Sequence, residues 1–259
     1  MQVEELVRPE RFDGDQTVNA EPDLSRLAGS LGDATRVRML ALLLDGRALT
    51  AKELAHGAGV VPATASTHLK RLVLDGLLGV KAQGRHRYFA LTSTRVADCV
   101  ESLLTLAAPA REPAPAARAR PIHEARFCYD HLAGRLGVRV TCSLVQRGVL
   151  RLGDRAFELT RPGAQWLARI GVDVNAATAV RRRFAYACLD WSERQDHLGG
   201  ALGAALADRF VSAGWVKRAG DSRAVIVTPA GEGALSEYFG IEWAHGAARE
   251  RARATGGGR

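Results

Sequence analysis

Residues 49–78 read LTAKELAHGAGVVPATASTHLKRLVLDGLL. The stretch divides at its glycines. Leu49 to His56 has the pattern of a short helix, with Thr50 as its cap and Glu53 three residues on, which is the spacing of a capping box. Gly57 and Gly59 are expected to supply a tight turn. Pro62 then opens a second helix, at the position where its missing N–H costs nothing. Ala65, Leu69 and Leu72 share one face of that helix and predict its buried side. Thr64, Ser66, Thr67, His68, Lys70 and Arg71 fall elsewhere around it. Short helix, glycine turn and helix form a helix-turn-helix.

The flanking sequence extends this unit. Upstream, Leu24, Leu27 and Leu31, then Val37, Leu40 and Leu44, follow amphipathic helical spacing; Asp33 is placed to cap the second run and Gly46 to close it. Downstream, Leu77 to Ala82 and Arg87 to Leu91 read as two strands joined at Gln83–His86. A hairpin tip carrying Arg85, His86 and Arg87 suits contact with phosphate or the minor groove. Short polar side chains on the second helix suit base edges, and Lys70 and Arg71 suit phosphates. Double-stranded operator DNA is the expected partner.

Charge agrees with that partner. The chain of 259 residues carries a formal charge of +8, unevenly spread. Residues 1–23 hold two basic and seven acidic groups, whereas residues 24–106 hold eleven basic and six acidic. No apolar run is long enough for a membrane span, and the N-terminus lacks the apolar region of a secretion signal, so a cytoplasmic protein without membrane contact is expected. Four cysteines, Cys99, Cys128, Cys142 and Cys188, form no C-x-x-C pair and read as buried thiols, Cys142 as core.

Three stretches, LGDATRVRML (31–40), TASTHLKRLVLDGLL (64–78) and GRHRYFALT (84–92), resemble the ArsR/SmtB family of winged-helix repressors. The resemblance covers roughly residues 24–106. It implies a homodimer that binds operator DNA, releases it when an inducer binds, and pairs through the helices near Leu24–Ser30 and Ser93–Leu106. It fails at the family's metal sites. Thr50 and Lys52 stand where thiolates would be, and Asp98, Cys99 and Glu101 on the last helix come without histidine. Metal sensing through those sites is not expected, and no metal ligands are assigned.

The expected organisation is an acidic segment 1–23, a DNA-binding and dimerisation domain 24–106, a Pro/Ala linker 107–123, a C-terminal domain 124–244 and a disordered tail 245–259. The C-terminal domain writes one phrase twice: DHLAGRLGV at 130–138 and DHLGGALGA at 196–204. Gly148, Thr160 and Gly163 find counterparts in Gly214, Thr228 and Gly231. Two repeats, 126–173 and 183–242, are expected, each a helix that starts at the phrase, a hairpin and a second helix, with a crevice between them. The fold class is thus mainly α with small β-hairpins (α+β), a winged helix-turn-helix followed by a duplicated winged-helix-like module.

Three readings of the repeated phrase stay open. Asp130 and Asp196 cap helices while His131 and His197 satisfy backbone groups; or Tyr129, His131, Trp166, Trp191 and His197 line a small-molecule pocket; or Cys128 and Cys188, with the histidines, hold a metal or haem or form a thiol switch. Longer ArsR-like chains resemble this one at these phrases without implying a ligand. No nucleophile motif or phosphate loop points to an enzyme. The sequence reads as a repressor released by an effector sensed in its C-terminal domain, or as a constitutive or architectural DNA binder whose C-terminal domain only stabilises the dimer.

Overall fold

A computed structural model describes residues 24–84, 86–107, 121–154, 156–220 and 222–243. The acidic segment, most of the linker, Arg85, Arg155 and the tail from residue 244 lie outside the described residues. The chain forms two compact units that divide between Val100 and Glu101.

In the first unit, helices α1 (Leu24–Leu31) and α2 (Ala34–Leu42) are separated by Asp33, whose carboxylate accepts from the Arg36 N–H at 2.9 Å. Strand β1 (Leu49–Thr50) leads into α3 (Ala51–Ala58), so Leu49 is strand rather than helix. The Thr50 N–H donates to Glu53 at 2.7 Å and the Glu53 N–H donates to Thr50 Oγ1 at 3.3 Å, closing the capping box. Gly57 lies inside α3, where a Cβ would meet the Leu42 side chain at 2.6 Å; the turn itself belongs to Gly59, left-handed at φ 71°. Helix α4 (Pro62–Leu74) follows, then β2 (Leu78–Gln83) and β3 (His86–Leu91), in a sheet of order β1-β3-β2. Met39, Leu40, Leu44, Leu54, Leu69 and Leu72 form its buried centre. Helix α5 (Thr94–Ala107) carries the chain across the division.

After the end of α5 the second unit has a short helix, α6 (Pro121–Glu124), and then runs twice through the same order of elements. The first run is β4 (Arg126–Cys128), β5 (His131–Ala133), α7 (Gly134–Gln146), β6 (Leu150–Leu152), β7 (Phe157–Leu159) and α8 (Arg161–Arg169). After α9 (Val174–Ala179) the second is β8 (Tyr186–Leu189), β9 (Asp196–Gly199), α10 (Gly200–Ser212), β10 (Val216–Arg218), β11 (Val225–Val227) and α11 (Pro229–Phe239).

The repeated phrase therefore starts as a strand and becomes helix only at Gly134 in the first copy and at Gly200, its second glycine, in the other. Gly134 and Gly200, at φ 72° and 91°, hold left-handed conformations at the joints. Spacing alone hid the joint, because Leu132–Leu136 and Leu198–Leu202 keep a four-residue interval across it. Asp130 and Asp196 consequently cap no helix; Ala133 and Gly199 occupy the cap positions without side-chain bonds.

The runs pack reciprocally. A Cβ on Gly137 of α7 would stand 3.6 Å from His197 Cβ, and one on Gly203 of α10 would stand 3.2 Å from His131 Cβ. Thr160 and Thr228 play equal parts: each caps the following helix by accepting from the Gly163 or Gly231 N–H, at 3.0 and 3.1 Å, and each donates back to Gly148 or Gly214. Leu136, Val140 and Leu144 of α7 join Leu202, Leu206 and Phe210 of α10 in one core. Phe210 meets the rings of Trp215 and Phe239 at 5.1 and 5.6 Å; full burial of such a side chain contributes about 1.5–3 kcal/mol. Cys142 is exposed, not core, because it lies two residues from Val140 and so on the opposite side of the helix from that stripe. Cys99 is also exposed. Among the described residues no helix is long and apolar enough to cross a membrane.

Candidate DNA interface and buried cysteine–histidine cluster

Helix α4 presents an outer face of short polar and cationic groups. Thr64, Ser66, Thr67, Lys70 and Arg71 are exposed, while Ala65, Leu69 and Leu72 are buried beneath them. The Ser66 hydroxyl donates to the Pro62 carbonyl at 2.9 Å, a bond easily exchanged for an outside acceptor. Arg71 is tethered to Asp75 at 2.8 Å with its side chain half exposed. His68 departs from the sequence reading: it is mostly buried, with Nδ1 3.3 Å from Arg36 and 3.8 Å from Asp33. On the β2–β3 hairpin His86 and Arg87 are exposed. Lys81 on β2, which the sequence reading passed over, is exposed as well.

In the second unit the structure joins four of the singled-out residues. Cys128 pairs across its hairpin with His131, and Cys188 pairs across its own with His197. The two hairpins bring one ligand atom from each of the four within 4.8 Å of one another. The sulfurs are 3.9 Å apart and the imidazole centroids 5.1 Å. Cys128, His131 and His197 are buried, and Cys188 is partly exposed. What was expected as a crevice is here filled by these side chains.

Each histidine has a carboxylate behind it. Asp130 is 3.1 Å from His131 Nδ1 and also takes the Arg182 guanidinium. Asp190 is 3.5 Å from His197 Nδ1. No hydrogen bond reaches Nε2 of either histidine among the described residues. Asp190 is itself fully buried and accepts from Arg126 at 2.9 Å, the Gly134 N–H at 2.7 Å, and the N–H groups of Ser192 and Glu193. It thereby supplies the start of α7 with an anion from the other run. Arg126, fully buried, lies 4.4 Å over the Trp191 ring. The sequence reading missed Arg126 and Asp190; the Asp-x-Ser-Glu turn at 190–193 was the available signal.

Electrostatics follow from this packing. Burial disfavours an ionised Asp190, but the Arg126 charge, His197 and the hydrogen bonds from Ser192 and Gly134 together outweigh it and hold the carboxyl well below the usual range. The Cys188 contact and burial push the Cys128 thiol up, so it keeps its proton. Burial, then the neighbouring His131, push His197 well below the usual imidazole value.

The remaining candidates stand apart or serve other contacts. Tyr129 occupies the β4–β5 turn at φ 59°, and Arg194 the β8–β9 turn at φ 56°. They are the non-glycine residues of positive φ among those described, and such strain clusters at functional sites. Trp191 covers Arg126 and meets His123 at 5.0 Å. Trp166 packs on Phe239 at 5.5 Å and lines a separate cleft of about 390 Å³ with Arg147, Pro162 and Arg169. The structure does not gather these aromatics into one pocket with the histidines.

The first unit has the build of a winged helix-turn-helix, a DNA-binding fold with mixed helix and strand. Residues 31–80 match the family described as a helix-turn-helix domain. The HTH-type transcriptional regulator YdfF of Bacillus subtilis, described as uncharacterized, is 39% identical over 223 residues, spanning 85% of this chain and 99% of that one. CmtR of Mycobacterium tuberculosis, an HTH-type transcriptional regulator, is 35% identical over 101 residues, 38% of this chain and 85% of that one. A solution structure of the homodimeric winged helix-turn-helix domain Mb0332 from Mycobacterium bovis, a possible ArsR-family regulator, shares 25% identity over 32% of this chain and 77% of that one, at a TM-score of 0.31. The chain belongs to the helix-turn-helix transcriptional regulators, which bind DNA and are not enzymes.

Proposed function

We propose that the protein is a homodimeric, cytoplasmic repressor released from operator DNA by an effector sensed in its second unit. The observation that carries the DNA reading is the exposed row Thr64, Ser66, Thr67 and Lys70 on α4, flanked by Lys81 and Arg87 on the hairpin. Short side chains let the helix approach base edges, and the flanking cations neutralise phosphates. Residues 126–173 and 183–242 are read as a duplicated winged-helix-like module within a C-terminal domain 124–244. It lacks a polar recognition helix and is assigned to sensing, not to DNA. An effector that binds more tightly to the DNA-incompetent form shifts the population off the operator.

The test begins with selection of a bound sequence from random duplexes, then anisotropy titrations over a range of salt. Lys70→Ala is expected to weaken binding to all sequences and to lower the slope of log K against log salt by about 0.9 for each phosphate it leaves unneutralised. Wild-type affinity and slope in Lys70→Ala would remove α4 from the interface. Sedimentation equilibrium checks the dimer, and a monomer on DNA refutes that part of the reading.

A further inference from the structure

We propose that Cys128, His131, Cys188 and His197 form a tetrahedral centre for zinc(II) or a related thiolate-seeking divalent ion, bound through the two sulfurs and the two Nε2 atoms. Four observations converge on it. First, zinc–sulfur bonds of about 2.3 Å set the sulfur–sulfur edge of a tetrahedron at about 3.8 Å. The observed separation is 3.9 Å, far longer than a disulfide bond of about 2.05 Å. Second, both Nε2 atoms are buried and without a hydrogen bond among the described residues. An orphaned buried imidazole nitrogen is costly, and a metal ion satisfies it. Third, a carboxylate faces Nδ1 of each histidine, at 3.1 and 3.5 Å. Asp130 is thus the outer-sphere partner that fixes the tautomer of His131 and leaves its Nε2 free for the ion, while Asp190 stands beside His197 Nδ1 without a hydrogen bond to it.

Fourth, the charges balance. Asp130 is matched by Arg182 and Asp190 by Arg126. Two thiolates and two neutral imidazoles around a divalent cation leave no net charge buried. The donor set of sulfur and imidazole suits zinc and its congeners, and it excludes magnesium and calcium, which take oxygen. With four protein ligands no coordination position stays open, so the centre holds an ion and does not activate water. A porphyrin has no room among atoms that lie within 4.8 Å of one another. Partly exposed Cys188 gives the ion its entry side. Each hairpin contributes one cysteine and one histidine, so the ion ties together two chain segments sixty residues apart.

Binding of the ion stands on these residues alone; that the ion is the effector rests on the repressor reading above. The experiment uses the full chain, reduced and stripped with a chelator, titrated anaerobically with cobalt(II). Expected are the visible bands of tetrahedral cobalt and a near-ultraviolet thiolate charge-transfer band, saturating at one ion per chain and bleached by zinc(II). Cys188→Ser and His197→Gln should each weaken cobalt binding at least tenfold, while the double variant Cys99→Ser, Cys142→Ser binds as wild type. X-ray absorption of the zinc form should read two sulfur and two nitrogen neighbours, which keeps the assignment testable if a ligand variant fails to fold. No binding by the reduced wild type, octahedral cobalt bands, or unchanged binding in folded Cys188→Ser overturns the proposal. Operator affinity is then read with and without zinc(II). A tenfold change that disappears in Cys188→Ser makes the ion the effector. Equal affinity with the ion bound leaves the centre in place and overturns its role as effector.

Discussion

Gly203→Ala adds one carbon where α10 crosses the opposite hairpin. That carbon would lie well inside 3.0 Å of the Leu198 carbonyl oxygen, 3.0 Å from the Leu198 carbonyl carbon and 3.2 Å from His131 Cβ. Real Cβ atoms essentially never approach below 3.0 Å, and the nearest partner is backbone, which cannot swing aside. The hairpin and helix must therefore separate, an overpacking cost of about 1–3 kcal/mol. Gly233→Ala in α11 is the matched control, since its Cβ would meet nothing within 4 Å. Both substitutions restrict the unfolded chain equally and both gain helix propensity, about 1 kcal/mol. Their difference thus reports the contacts this carbon would make, chiefly with the Leu198 carbonyl of its own run and then with His131 of the other. Because the propensity gain is common to both and cancels, and the clash sits at the severe end, Gly203→Ala should fall about 3 kcal/mol below Gly233→Ala. All four tryptophans, Trp166, Trp191, Trp215 and Trp243, lie in the second unit, so their fluorescence during denaturant unfolding reads this unit selectively. Equal midpoints for the two variants would falsify the close packing of Gly203 on the Leu198 carbonyl and His131.

Three further outcomes are expected. Asp190→Asn leaves Arg126 buried with its charge unmatched and should cost the second unit about 3–5 kcal/mol, whereas Arg126→Met combined with Asp190→Asn recovers part of the loss; the tryptophan signal reads both, and a near-neutral single variant refutes the ion pair. Thr50→Ala removes the α3 cap and should cost about 1 kcal/mol, measured by circular dichroism as a lower first-unit midpoint. The Glu53 carboxyl is held below its usual value by hydrogen bonds from Thr50. Its stabilisation is therefore full above the unfolded value of 4.5 and is lost as pH falls through the lower folded value. Wild type and Glu53→Gln should differ at pH 7 and converge in acid; a gap that persists at pH 2 contradicts the ionised capping box.

The first unit was legible because its signals are local. Asp33, the Thr50–Glu53 box, Pro62 and the Ala65–Leu69–Leu72 face each act within a turn or two of chain, and the structure uses each as read. Its departures are long-range: Leu49 is drawn into a sheet by Phe89, and His68 is turned inward by Arg36, 32 residues away. The second unit was legible in its repeat, with Gly148, Thr160 and Gly163 matching Gly214, Thr228 and Gly231. It was misread at the phrase itself, where a four-residue leucine interval runs unbroken from strand into helix. Arg126 and Asp190 escaped because their pairing spans 64 residues and has no local pattern.

The cluster stood in the sequence as one of three open readings, and what kept it from being singled out also explains why one chain writes its phrase twice. Sequence motifs for metal sites fix the number of residues between ligands, and here that number differs: two residues separate Cys128 from His131, and eight separate Cys188 from His197. What the two hairpins share is register. In each, the cysteine stands directly opposite the histidine, and a cross-strand pair projects to one face whatever the length of the turn. The glycines that follow then matter more than the ligands' spacing. Gly203 lets α10 approach His131 and Gly137 lies beside His197, while both make room for the Leu198 and Leu132 carbonyls of their own runs, so each copy of the phrase supplies one ligand and the small-residue helix surface against which the other copy's ligand packs. Neither copy can build the cluster alone, and a single copy would leave a cysteine and a histidine facing solvent. Duplication is thus the structural condition for a closed four-ligand site, and the repeat is better evidence for it than any motif within one copy.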